Sequence, residues 1–151
     1  MLDVCPVAVG DPQVATLLDA LTRELAGGGY TAEQTFGYSV EQLQQAGVHL
    51  VGAHDGATLV GVAGIEVQAD GFAELKRFYV APEHRGAGVA DALLAALLAR
   101  ARAAGVSTVR LETGDRQRAA MAFYRRHGFA TVERFGPYVA SETSVCMSLR
   151  L

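Results

Sequence analysis

At 151 residues the chain is long enough for one domain with a buried core, and it needs neither disulfides nor a metal to hold that core. Half of its residues are hydrophobic and 19% are charged, which excludes a disordered chain, while a net charge of −3 argues against a general nucleic-acid binder. A membrane span is not expected either, because the apolar run Ala92–Ala99 soon meets Arg100 and Arg102.

In chain order, Val4–Val9 is predicted as a first strand, and Met1-Leu2-Asp3-Val4-Cys5-Pro6 lacks the basic leader of a secretion signal. Cys5 and Cys146 fit no metal or redox spacing and are expected to be reduced packing residues of a cytoplasmic protein. Asp11-Pro12 supplies a helix cap and a proline at the first helical position. Val14, Leu17, Leu18, Leu21 and Leu25 then recur at helical spacing until Gly27-Gly28-Gly29. Thr31 with Gln34 and Ser39 with Gln42 resemble capping boxes, so one or two short helices are expected between Thr31 and Ala46.

From Val48 the period becomes strand-like. His49–Ala53, a turn at His54-Asp55-Gly56 and Thr58–Gln68 form a hairpin; Ala69-Asp70-Gly71 turns the chain again into the strand Glu74–Val80. That strand enters Arg85-Gly86-Ala87-Gly88-Val89-Ala90, and a helix from about Gly88 to Ala104 leaves it, with Gly105 as its stop. A glycine-bearing turn at a helix start exposes amides that no helical carbonyl reaches, and the peptide dipoles favour an anion there. A phosphate or pyrophosphate would fit, with Arg85 in direct contact; an ordinary strand-to-helix connection is the alternative.

Val106–Thr113 is predicted as a strand parallel to Glu74–Val80, since a helical crossover separates them. A helix from about Arg116 to His127 follows. Arg116, Arg118, Arg125 and Arg126 gather around it and, with Arg85, would serve a small polyanion unless they are a solvated helix face. Phe129–Phe135, a turn at Gly136-Pro137-Tyr138 and Thr143–Leu149 close the chain as a hairpin. With no repeat or linker, the expected architecture is one α+β domain over residues 1–151, built on a mixed sheet.

The histidines His49, His54, His84 and His127 lack metal-ligand spacing, so no metal is expected. There is no Gly-x-Ser-x-Gly elbow and no P-loop Gly-Lys-Ser/Thr, and Gly86–Asp91 ends in Asp where a dinucleotide fingerprint needs Gly or Ala.

Arg85, Gly88 and Ala90 resemble the loop signature of the GNAT family, the acetyl-CoA-dependent N-acetyltransferases: Arg or Gln, two residues, Gly, one residue, then Gly or Ala. Val80-Ala81-Pro82 before the loop, and Gln117, Ala120, Phe123, Tyr124, Gly128 and Phe129 after it, agree with that family in spacing. Ala73–Arg77, Leu111–Gly114, Gly136–Tyr138 and Ser144–Met147 resemble a group of small bacterial acetyltransferases of mostly unassigned acceptor. Gln117 stands where Asn is more usual, and Val139–Thr143 lacks the Asp-Pro pair of that group.

The resemblance implies a mostly antiparallel sheet of six to seven strands with about four helices, in three layers, and direct acetyl transfer to the primary amine of a small polar metabolite. Acetyl-CoA would lie between splayed strands, against Phe78, Tyr79 and Val80 on one side, Arg85, Gly86, Ala87, Gly88, Val89 and Ala90 at the diphosphate, and Gln117, Ala120, Phe123 and Tyr124 along the following helix. A backbone N–H near Val80 would face the thioester oxygen. Tyr124 is the candidate acid for the leaving thiolate, with plain packing as the alternative. Glu74 is the candidate base, or else one half of a Glu74–Lys76 pair on a solvated sheet face; Glu112 is the other candidate, unless it binds the amine or pairs with Arg110 or another basic residue. Lys76, Arg77 and the arginines near Arg118 would favour an anionic acceptor if CoA does not occupy them. A protein acetyltransferase acting on lysines or N-termini, and a non-catalytic acyl-CoA-binding module, are the competing readings; homodimers are common in such families.

Overall fold

The computed structural model describes residues 1–151. Helix α1 (Pro12–Gly27) begins where Asp11 Oδ1 accepts the Gln13 amide at 2.8 Å and Pro12 fixes the first turn. The Thr31 and Ser39 signals both produce helical turns, a single 3-10 turn at Ala32–Gln34 and the short α2 (Val40–Gln45). At Ser39 the box is complete: Ser39 Oγ accepts from Gln42 N at 3.1 Å, and Gln42 Oε1 accepts from Ser39 N at 2.8 Å.

Seven strands form one sheet: β1 (Leu2–Pro6), β2 (His49–Asp55), β3 (Thr58–Val67), β4 (Phe72–Val80), β5 (Thr108–Gly114), β6 (Ala130–Val132) and β7 (Ser144–Arg150), in the order β1-β2-β3-β4-β5-β7-β6. Only β4 and β5 run parallel, joined across α3 (Val89–Ala103) as the crossover requires. The first strand runs Leu2–Pro6, short of the expected Val9, with one further backbone bond from Val7 N to Leu50 O at 3.1 Å. Strand β2 runs two residues past Ala53, so the hairpin turns on Gly56-Ala57 between the paired Asp55 and Thr58. The strand expected over Phe129–Phe135 shrinks to β6, and Gly136–Tyr138 forms a 3-10 turn.

The two faces carry separate cores. Helices α1 and α2 place Val14, Leu17, Leu18 and Leu43 against Leu50, Leu59, Val62 and Tyr79. On the other face α3 and α4 (Arg118–Arg126) pack Val89, Leu93, Leu94, Leu97 and Tyr124 against Val51, Ile65, Leu75, Val109 and Met147. Leu93 is fully buried (0% exposed). Leu93→Ala should therefore destabilise the fold by about 2–5 kcal/mol, read as a lowered urea midpoint with an unchanged slope.

Strand β4 contains an irregularity that alternation alone does not predict. Val62 pairs with Tyr79 but Gly64 pairs with Lys76, so Ala63 faces both Arg77 and Phe78, and Arg77 adopts φ +53°. This β-bulge resets the side-chain alternation: Leu75, Phe78 and Val80 all meet the α3/α4 core, while Glu74, Lys76 and Tyr79 face the other side. The bulge also bends the strand away from β5. Pairing between them consists of Phe72–Thr108, Ala73–Val109 and Glu74–Arg110, and beyond it the two strands diverge.

Candidate functional site

The divergence opens a cleft of ≈ 580 Å³ whose walls are Leu75–Val80 of β4 and Leu111–Gly114 of β5. Strand β5 stays paired with β7 as far as Gly114–Ser144, so the β4 edge beyond Glu74 lacks a neighbour on this side and offers its backbone to an extended ligand.

At one end lies the glycine turn. Gly86 (φ +77°) and Gly88 (φ +84°) hold backbone conformations that side chains rarely adopt, and a Cβ added at either would point into open space. Gly88 begins α3 without a side-chain cap, and the amides of Gly86, Ala87 and Gly88 find no acceptor in the protein. Uncapped amides under an open roof suit a diphosphate, so the residues present fit the coenzyme the sequence implies. Arg85 has partners of its own: its Nε donates to Val80 O at 2.9 Å, its Nη2 pairs with Glu24 at 2.9 Å, and its guanidinium lies 5.4 Å from the Tyr79 ring. The side chain braces the turn while still lining the cleft.

The arginine group is likewise dispersed. Arg116 donates to Gly28 O at 3.2 Å, Arg118 and Arg125 are exposed, and Arg126 lines the cleft 3.4 Å from Asp91. Asp91 also lies 2.7 Å from His127 Nε2, and the histidine hydrogen bond, more than the arginine, holds its carboxyl below the usual range.

Helix α4 presents Ala120, Phe123 and Tyr124 to the same cleft, joined by its N-cap residue Gln117. Tyr124 is 7% exposed, edge-on to Phe78 and Phe129 with centroids 6.1 and 5.6 Å away. Its hydroxyl makes no hydrogen bond within the protein, and burial alone pushes the phenol well above its ordinary pKa. The ring both packs and lines the cleft, so the two sequence-based readings of Tyr124 are compatible.

The opposite end of the cleft is polar at its floor and aromatic at its walls. Glu74 and Lys76 form a pair at 2.9 Å, but they are 3% and 8% exposed, not on a solvated face. The cause is a cover that comes from elsewhere in the chain. Tyr138 donates to Glu74 Oε2 at 2.5 Å, Lys76 Nζ donates to the Tyr138 hydroxyl at 3.3 Å, and Nζ lies 4.1 Å above the Tyr38 ring. Glu74 Oε1 accepts from Gln68 at 2.9 Å, so both its oxygens are engaged. Tyr38 donates to Glu66 at 2.9 Å; that bond and burial, the larger cause, raise its phenol to about 12.

Glu112 is arranged differently. It has no cation within ion-pair distance, and its one side-chain bond is from Ser144 Oγ to Oε2 at 2.5 Å. Arg110 is turned away to Gln68 Oε1 at 2.9 Å, held between the Phe72 and Phe135 rings at 4.3 and 4.1 Å. Burial raises the Glu112 carboxyl above the ordinary carboxylate range; the Ser144 hydrogen bond opposes that rise without cancelling it.

Sequence reasoning treated Tyr138 as part of a turn and gave Tyr38, Phe36 and Ser144 no site role. The Gly-Pro-Tyr triplet is the one local signal for this end of the cleft, because a proline-set turn fixes where the following ring goes. No group of three or more His, Cys, Asp or Glu gathers to hold a metal, and no helix is long and apolar enough to cross a membrane.

Comparison with known proteins gives one consistent result. The sequence profile described as "Acetyltransferase (GNAT) family" matches residues 16–129. An "IAA acetyltransferase" of Azospirillum brasilense is 36% identical over 135 residues, covering 89% of this chain and 88% of that protein. Among solved structures, one from Klebsiella pneumoniae, assigned by name as an acyl-CoA N-acyltransferase, superposes with a TM-score of 0.83 at 34% identity, covering 100% of this chain and 98% of the other. The PaiA N-acetyltransferase of Thermoplasma acidophilum, solved with coenzyme A, shares the fold at a TM-score of 0.81 and 19% identity, covering 100% of this chain and 99% of its own.

Proposed function

Because the chain belongs to the GNAT acetyltransferase family, and so is an acyltransferase that uses acetyl-CoA as cosubstrate, we propose that residues 1–151 act as one domain that acetylates the primary amine of a small molecule directly. The observation that carries this reading is Glu112, a partly buried carboxylate without a cation, set in a cleft whose far end is an uncapped amide cradle. Acetyl-CoA supplies an acetyl group already activated as a thioester.

The chain's own residues supply three things. The amides of Gly86–Ala90 grip the diphosphate, and the unpaired edge of Phe78–Val80 aligns the rest of the coenzyme, with an N–H near Val80 stabilising charge on the carbonyl oxygen. Glu112 takes a proton from the incoming ammonium; its raised affinity for protons makes it a better acceptor than an ordinary carboxylate. Glu74 would have to break an ion pair to do the same, which is why we place the base at Glu112. As the amine nitrogen bonds to the carbonyl carbon and the C–S bond breaks, one proton leaves through Glu112 and the other ends on sulfur.

We assign the donor for that sulfur to Tyr124, which lines the cleft together with Gln117 at the start of α4. Since burial keeps its phenol protonated, it acts by hydrogen bonding as the thiolate forms. Tyr124→Phe should lower kcat by about 10²-fold with CoA affinity unchanged by calorimetry. An unaltered kcat removes Tyr124 as the donor.

A small acceptor is favoured over a protein segment because Phe36 meets Tyr138 edge-on, with centroids 5.0 Å apart, at the acceptor end. Thiol release from acetyl-CoA should appear with primary amines and be weak with a lysine peptide. IAA, for which the Azospirillum relative is named, belongs in the same panel: acetylation of IAA or the peptide but of no small amine overturns the proposal.

A further inference from the structure

At the acceptor end Lys76 has a carboxylate partner, and the nearby guanidiniums are turned onto neutral groups elsewhere in the protein. Lys76 is held by Glu74, the Tyr138 hydroxyl and the Tyr38 ring. Arg77, displaced by the bulge, is turned onto α1, where Nη2 donates to Leu18 O at 2.9 Å and Thr22 Oγ1 at 2.7 Å. Arg110 is committed to Gln68 and two aromatic faces. The arginines near Arg118 lie on α4 or at its start, and Arg116 is turned onto Gly28 O.

The ion left over is negative. Glu112 has a hydroxyl donor but no cation within ion-pair distance; Glu74 opposes its charge and Lys76, itself paired with Glu74, favours it from farther off. A second anion brought into this space meets a carboxylate while the Arg77 and Arg110 guanidiniums are turned to other groups, whereas an ammonium group pairs with Glu112 directly. This reverses the expectation of an anionic acceptor: Lys76 is neutralised by Glu74, and Arg77, Arg110 and Arg116 are turned onto neutral oxygens of the protein.

The walls favour a ring. Phe36 and Tyr38 are half-buried residues of the segment between α1 and α2, and both line the cleft with buried Tyr138. Aromatic faces attract both an aryl group and a cation.

We propose, building on the direct N-acetyltransferase reading above, that the acceptor is an arylalkylamine: a primary amine a short chain away from an aromatic ring, with no carboxylate. The ammonium meets Glu112, the ring lies among Phe36, Tyr38 and Tyr138, and an α-amino acid is rejected at its carboxylate.

Steady-state assays of the full chain with acetyl-CoA and four acceptors test this: phenethylamine, phenylalanine amide, phenylalanine and butylamine. The expected kcat/KM for phenethylamine exceeds that for butylamine about tenfold and that for phenylalanine about a hundredfold, and phenylalanine amide recovers most of the loss. In Phe36→Ala the preference for phenethylamine over butylamine should collapse toward unity. Phenylalanine used as well as phenethylamine, or butylamine as well as either, overturns the acceptor class while leaving amine acetylation standing. Bound CoA with transfer to none of the four overturns both.

Discussion

Glu112→Gln is expected to lower kcat/KM for the amine by about 10²–10³-fold, the range for loss of a general base, while the calorimetric Kd for CoA stays within twofold. Glutamine keeps the shape and can still accept the Ser144 hydroxyl, so the loss isolates proton transfer. The pH profile makes the assignment specific. Because burial raises the Glu112 carboxyl, the acid limb of kcat/KM should lie above the usual carboxylate range, and activity should rise with pH as the group ionises. Glu112→Gln should remove that limb, and Glu74→Gln should not.

Stability should move the opposite way. The folded protein holds the Glu112 proton more tightly than the unfolded chain does, so its contribution is full below the ordinary carboxylate pKa and is lost as pH rises through the raised value. At neutral pH the native carboxylate is therefore a small liability, and Glu112→Gln should unfold at equal or higher urea concentration than the parent. Loss of activity without loss of stability separates a working base from a packing residue; activity that survives intact returns the role to Glu74 or to water.

The second large effect is expected at the diphosphate end. Gly88→Val should raise the Kd for CoA by about 100-fold or more, equivalent to about 2.7 kcal/mol. Two causes act together. A β-branched residue resists φ +84°, and its side chain enters the open space above the amides that the coenzyme needs. Gly88→Ala, with a smaller side chain and less strain, should weaken binding by a lesser factor. Circular dichroism through the thermal transition distinguishes a folded variant with a filled cradle from one whose α3 no longer starts correctly. Unchanged CoA affinity in a folded Gly88→Val would show that the amides are not the diphosphate site.

The two sites differ in how legible they were. The cradle was readable because its parts are neighbours in the chain: a strand ending at Val80, glycines at 86 and 88, and a helix starting at Val89. Turns, caps and hydrophobic periods depend on contacts within a few residues, and the Ser39 box, the Asp11-Pro12 start and the parallel β4–β5 crossover all appeared where such signals placed them. Strand ends were displaced by a residue or a few, as at Pro6 and Val132, because ladder pairing extends or stops according to the partner strand.

The state of each acidic side chain was a different matter. In sequence, Glu74 reads equally as a base or as half of a surface pair with Lys76, and Glu112 as a second base, an amine-binding group or a partner of Arg110 or another basic residue. Folding brings Tyr138 from 64 residues away onto Glu74 and draws Arg110 into a cage of Phe72 and Phe135, so the first carboxylate is locked and the second is left without a cation. Nothing local encodes that outcome.

By itself, then, the sequence determined the order of elements, the α+β class and the glycine turn before α3, since these rest on short-range backbone chemistry and spacing, and its motifs carried the resemblance to the family. Only the tertiary structure decided where β4 bends at Arg77, how far β4 and β5 part, and which acidic group keeps its charge uncompensated. The physical reason is range: backbone preferences are set within a turn of helix or a strand step, whereas desolvation and ion pairing depend on whichever side chains the fold places alongside.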